Sequence, residues 1–331
     1  MDSFAPNMES IFNSYHPGFL AMIEDNRADD FAKIQRMILR YNQKRHIPQE
    51  ANPRFASLYL LISRWRKHRA IYHFDPILWQ CLVDQAADVS DTEILPSEFI
   101  LHLPYECVQI EGLPIEIVLD VLGQKPAKYN GVALITIMQP GTVDPDYPCL
   151  YMVWENINHK GSEDFYLPII PGGTILDGYD RLHSIADEDT IHQQSSVAMT
   201  RIAIQFILYL MAINADVEES ASDEENADSI SAADSTVSPA KKRRHKSNHQ
   251  RGKKSLLYHV GYHVGPSLGA ADSGDNHLSG ITVRPHIRRG HWQHYWRGPR
   301  DGERERILKW KSPIIVKGDM GDDLPTLISV K

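Results

Sequence analysis

Apolar residues recur at helical spacing in the first quarter of the chain and give way to short β-rich runs after it. Residues from about Pro17 to Gln43 and from about Phe55 to Ala87 carry a helical period; Leu58, Leu61, Ile62, Trp65 and Arg69 fall on one helix face. Asp75-Pro76 ahead of Ile77, Leu78, Leu82 and Val83 reads as a helix start, with Asp as cap and Pro in the first turn. From residue 99 to 170 the texture is that of strands: Phe99–Leu103, Gly131–Met138 and Cys149–Ile157 are rich in β-formers and bounded by Pro, Gly and Asp. Pro171-Gly172-Gly173 marks a turn, and an apolar helix is expected from Ser195 or Ser196 to Ala215. The pattern predicts an α+β fold: a helical N-terminal region (17–87) and a small mixed or antiparallel sheet (99–170), with a helix over 195–215.

Residues 216–254 break the pattern. An acidic, Ser/Ala-rich stretch precedes the run Lys241, Lys242, Arg243, Arg244, His245, Lys246, and few residues there suit a core, so a disordered acidic-then-basic linker is expected. The basic run fits phosphate contact or nuclear targeting as well as it fits a solvated linker. Beyond it, Ser255–Ala270 reads as a short helix or irregular segment. Gly280–Gly298 and Arg306–Gly318 read as two strands joined by the turn-forming Gly298–Gly302, a C-terminal basic β-hairpin. The expected organisation is thus a body (1–215), a linker (216–254) and a basic module (255–331), in keeping with roughly two domains for 331 residues.

Charge sharpens that division. The net charge of −8 is the sum of −19 over residues 1–240 and +11 over residues 241–331. The acidic part is ill suited to nucleic acid and the basic part is suited to it. No apolar run reaches the ~20 residues needed to span a bilayer, and Met1-Asp2-Ser3-Phe4 does not begin a secretory signal, so no membrane and a cytoplasmic setting are expected. Cys81, Cys107 and Cys149 are far apart among apolar neighbours, the pattern of small buried hydrophobes. Loops for nucleotide phosphates, HExxH and GxSxG are absent, and no cofactor is expected.

The chemistry gathers in the C-terminal segment. Arg284, Arg288, Arg289 and Arg297 supply forked cationic donors; His286, His291 and His294 supply imidazoles; Trp292, Tyr295 and Trp296 supply flat rings. Basic plus aromatic is the composition of single-stranded nucleic-acid sites and also of protein-interface hot spots. A solvated basic hairpin with core tryptophans has the same composition. Two imidazoles beside arginines could also perform acid–base cleavage of RNA, which makes His286 and His291 the catalytic candidates. Zinc binding by His286, His291 and His294 fits no familiar ligand spacing, so no metal is assigned. His259 and His263 lie four apart beside Gly261 and Gly265 and read as packing or polar surface residues.

The run Arg284-Pro285-His286-Ile287-Arg288-Arg289-Gly290-His291-Trp292, then Tyr295-Trp296 and Lys309-Trp310 before Pro313, closely resembles the C-terminal motif of a type V-A anti-CRISPR family whose members block biogenesis of the Cpf-type effector nuclease. Ile71-Tyr72, Phe74-Asp75, Leu95-Pro96, Leu101, Leu103-Pro104 and Cys107-Val108 resemble its N-terminal region in the same order. The resemblance implies a phage or plasmid protein in the cytoplasm of a bacterial host. Its partners would be the nascent N-terminal polypeptide of the effector and the effector mRNA or the ribosome, and its outcome loss of that mRNA. A mobile-element RNA-binding protein or His-based endoribonuclease with another target is the alternative.

Overall fold

The computed structural model describes residues 4–27, 30–45, 53–87, 89–90, 94–117, 126–157, 161–185, 190–220, 255–266, 268, 286–288, 291–299, 302, 304–311 and 314–316, and of 6–7, 11–12, 14–15, 53–54, 190–195, 286–288 and 314–316 the backbone alone. The helices are α1 (Phe4–Tyr15), α2 (Phe19–Asp25), α3 (Phe31–Arg45), α4 (Pro53–His68), α5 (Pro76–Ala87), α6 (Ser97–Ile100), α7 (Ile175–Ile185) and α8 (Thr190–Met211). The strands are β1 (Ala70–Phe74), β2 (Cys107–Glu111), β3 (Ile115–Ile117), β4 (Ala127–Met138), β5 (Cys149–Asn156), β6 (Gly161–Pro168), β7 (Val217–Glu219), β8 (Leu256–Val260), β9 (His286–Arg288), β10 (His291–Arg297), β11 (Glu305–Lys311) and β12 (Ile314–Val316). The α+β expectation holds.

The sheet is larger than expected. Eight strands join in the order β6-β5-β4-β2-β1-β8-β7, with β3 paired to β4. β2, β1 and β8 run parallel and the remaining pairs are antiparallel. Successive residues of a strand face opposite sides. Accordingly, Cys149, Tyr151 and Val153 of β5 pack with the α1–α4 layer, whereas Leu150, Met152 and Trp154 join α5, α7 and α8 on the other side. Burial on both faces explains why these strands read as continuous apolar runs. Burial also pushes the Cys107 thiol up, and the Cys149 thiol to about 12, as befits packing residues. In β4 the register slips between Tyr129 and Ala133, where Gly131 takes φ +69°; a Cβ there would lie 2.0 Å from the Leu113 carbonyl oxygen.

Several local expectations are corrected. Strand β1 interrupts the helical stretch 55–87, because Ala70-Ile71-Tyr72 and Phe74 are buried between β2 and β8. Asp75 is the expected cap: its Oδ1 accepts the backbone N–H groups of Ile77 and Leu78 at 2.9 and 3.1 Å. Phe99–Leu103 is no strand; Ser97–Ile100 closes a helical turn, with the Phe99 and Ile100 N–H groups bonded to the Pro96 carbonyl. α7 was not expected, and α8 begins at Thr190 ahead of the expected serines.

The expected linker is also shorter at its start. Val217–Glu219 forms β7 against β8, and Asp216 accepts the His263 and Val264 N–H groups at 2.7 and 3.1 Å. Residues 221–254 lie outside the described residues. Ser255–Ala270 begins with β8, which pairs with β1 from Ala70↔Leu256 to Phe74↔Val260. The main sheet therefore crosses the expected border between body and basic module. Among the described residues no helix is long and apolar enough to cross a membrane.

Candidate nucleic-acid interface

β10 and β11 form the expected hairpin, paired from His291↔Lys311 to Arg297↔Glu305. Directly opposed residues share a face and alternate residues change face, which sorts the side chains into two sets. Trp292, His294 and Trp296 share one face with Trp310, Leu308 and Arg306. His291, Gln293, Tyr295 and Arg297 share the other with Lys311, Lys309, Ile307 and Glu305.

The first face is the docking face. Trp310 is 4% exposed and packs edge-on against Tyr209, ring centroids 5.2 Å apart. Its indole N–H donates to Gln85 Oε1 at 3.1 Å. Its backbone N–H donates to Asn214 Oδ1 at 3.0 Å and its carbonyl accepts from Asn214 Nδ2 at 2.8 Å. Trp292 Nε1 donates to Gln205 Oε1, and the Ile213 N–H donates to the Leu308 carbonyl at 3.1 Å. Two tryptophans and three amide side chains thus hold the hairpin on α5, α8 and the turn after α8. At its far end His294 lies against Phe99 of α6, and Arg306 Nη1 pairs with Glu98 Oε1 at 2.9 Å. Burial, helped by the Arg306 charge, holds the His294 imidazole below its ordinary range, so this contact is neutral near pH 7.

The second face is cationic; His291, Gln293, Arg297, Glu305 and Lys311 are exposed on it, and Tyr295, Ile307 and Lys309 are half-buried. Lys309 and Lys311 lie over the Tyr295 ring, and Arg297 is paired with Glu305. His291 is exposed beside Lys311.

The candidate residues therefore separate. Trp292 is a structural anchor, Tyr295 and Arg297 belong to the outer face with His291, and Trp296 remains 65% exposed at the end of the docking face. His286 and Arg288 lie on β9, paired with β12 through His286↔Val316 and Arg288↔Ile314. His286 and His291 thus sit on different two-stranded sheets. Arg284, Arg289, Lys241, Lys242, Arg243 and Arg244 lie outside the described residues. Lys309 and Lys311 are additions; their alternation with Leu308 and Trp310 was the available signal. Gln85, Gln205 and Asn214 gave none, because isolated amides carry no pattern.

In-register pairing sets Glu111, His73, His259 and Glu218 in one row across β2, β1, β8 and β7. The Glu111 carboxylate, 3.5 Å from His73 Nδ1, raises that imidazole above its ordinary value by hydrogen bonding, against the opposing effect of burial. A groove of about 760 Å³ lies between α4 and the 101–106 segment, lined in part by Arg64, His68, Leu103 and Tyr105. Among the described residues no cluster of three or more His, Cys, Asp or Glu is arranged to hold a metal.

A family model described as "AcrVA2-like: Anti-CRISPR type V subtype A2 family" matches residues 72–318. A search of curated proteins finds no match. Among solved structures, one described as "Crystal structure of AcrVA2" superposes with a TM-score of 0.52 at 18% identity, covering 95% of this chain and 97% of that one. At that identity the likeness speaks to the fold alone.

Proposed function

The chain belongs to the AcrVA2-like family, the anti-CRISPR type V subtype A2 family, and from that premise we propose how it acts. It suppresses production of a type V-A effector nuclease in the bacterial cytoplasm. The α+β body holds the nascent N-terminal peptide of the effector, and the hairpin engages the effector mRNA or the ribosome, with loss of that mRNA as the result. Neither a membrane nor a small-molecule cofactor takes part.

One observation carries this reading: the hairpin is fixed to the body by Trp292 and Trp310 while its other face, with His291, Tyr295, Lys309 and Lys311, is turned outward. Peptide and RNA would then be held by one rigid unit. The groove beside Tyr105, with apolar Leu101, Leu103 and Ile137 on its wall, supports a peptide site in the body.

The test is affinity capture of the protein from cells translating the effector. Effector nascent chains and transcript should co-purify with ribosomes, and their absence would overturn the reading. Purified protein should also leave effector mRNA intact without ribosomes. Cleavage that disappears in both His286→Ala and His291→Ala would instead establish an endoribonuclease. Because β8 is part of the sheet, charge changes on the outer face separate the two roles more cleanly than removal of residues 241–331.

A further inference from the structure

The outer face of the hairpin holds its cations in two different ways. Arg297 is paired with Glu305, and Arg306, on the docking face, with Glu98. Lys309 and Lys311 have no carboxylate partner among the described residues. Their Nζ atoms lie 5.2 and 5.5 Å from the centroid of the Tyr295 ring. Both distances fall inside the ~6 Å range of a cation–π contact. The Tyr295 hydroxyl donates to Gln293 Oε1 at 2.6 Å, which fixes the ring under the two ammonium groups.

Two like charges drawn over one ring repel each other, and an anion bound between them relieves that repulsion. Each ammonium also carries three donors. The strand repeat places the two lysines on the same face, one residue apart in that row, so consecutive anionic groups of a polymer can be met in turn.

We propose that Lys309 and Lys311, gathered over Tyr295, grip the phosphates of single-stranded RNA. This deepens the functional reading above and rests on it only for the identity of the polymer. Tyr295 is a positioning residue: its ring serves the ammonium groups and not a base. Trp296, next to Tyr295 in sequence and 65% exposed, stands opposite Arg306 on the other face of the hairpin and is not part of this row. The choice of RNA over an acidic peptide comes from the functional reading above, in which this face of the hairpin meets a transcript.

The experiment is fluorescence anisotropy of the full-length protein with labelled oligouridine across a salt series, and with labelled polyglutamate as the second probe. Each phosphate contact on a single strand contributes about 0.7 to the slope of log affinity against log salt, so Lys309→Gln with Lys311→Gln should lower the slope by about 1.4. Tyr295→Ala should weaken binding in the parent and add nothing in the double lysine variant. An unchanged slope in the lysine variant would overturn the site. A Tyr295→Ala effect that persists without the lysines would make Tyr295 a stacking residue and overturn its positioning role. Tighter binding of polyglutamate than of oligouridine would overturn the choice of RNA. Unchanged thermal melting of the variants controls for folding. Because the assay contains neither effector nor ribosome, failure of the ribosome capture leaves its outcome untouched.

Discussion

The indole N–H of Trp292 donates to Gln205 Oε1 at 2.7 Å, joining β10 to the middle of α8. Gln205 is 1% exposed, so its carbonyl is dedicated to this contact. Gln205→Leu keeps the volume and removes the acceptor. A hydrogen bond of this kind contributes about 0.5–1.5 kcal/mol net. Urea unfolding should report a loss of that size, and amide exchange should accelerate in β10 and β11 before β4 and β5. Uniform acceleration across all four strands would mean that the hairpin and sheet open as one.

Trp310 is the larger anchor. Trp310→Ala removes a buried ring from Tyr209 and leaves the Gln85 amide without its donor. Truncation of a buried Trp costs about 3–5 kcal/mol. Thermal melting should therefore fall further for Trp310→Ala than for Gln205→Leu, and Trp310→Phe should fall between them. A Trp310→Ala protein as stable as the parent would refute the anchoring role.

The His73–Glu111 pair makes stability depend on pH with a definite sign. The folded imidazole titrates above the unfolded value of about 6.5. Its contribution is therefore complete below that pH and is lost as pH rises through the folded value. NMR titration of His73 should show the raised value, and Glu111→Gln should bring it down. The stability gap between parent and Glu111→Gln should narrow as the solution becomes alkaline. A gap that widens with pH would contradict the pairing.

Gly112 follows β2 where Trp79 crosses it. A Cβ at this position would fall 2.1 Å from Trp79 Cε3, and Trp79 is itself stacked on Phe206 at 4.1 Å. Gly112→Ala thus displaces a ring held on both sides, and overpacking of this kind costs about 1–3 kcal/mol. A lowered melting temperature with a changed tryptophan emission spectrum is the expected outcome; an unchanged spectrum would show that the backbone moves instead.

What was legible in the sequence is what local chemistry dictates. Asp75-Pro76 announced α5, and the turn formers Gly298–Gly302 announced the hairpin, because capping and turn geometry are decided within a few residues. β1 was hidden because Ala70–Phe74 is buried on both faces, so it lacks alternation and blends into the helical periods around it. β8 was hidden because its partner β1 is remote in sequence, and Gly261 beside it suggested irregular chain. At the candidate site the residue types were evident and their directions were not. Trp292 turns inward because it stands opposite Trp310, and only the register reveals that.

The place of β8 between β1 and β7 also sets an order of events during synthesis. β1 leaves the ribosome early, but one of its two hydrogen-bonding edges must wait until residue 260 has emerged. Until then it is an open template for another chain, the kind of edge that invites aggregation. Pairing so distant in sequence also closes slowly. Slower translation between β7 and β8 should therefore reduce the soluble yield even though the finished molecule is unchanged.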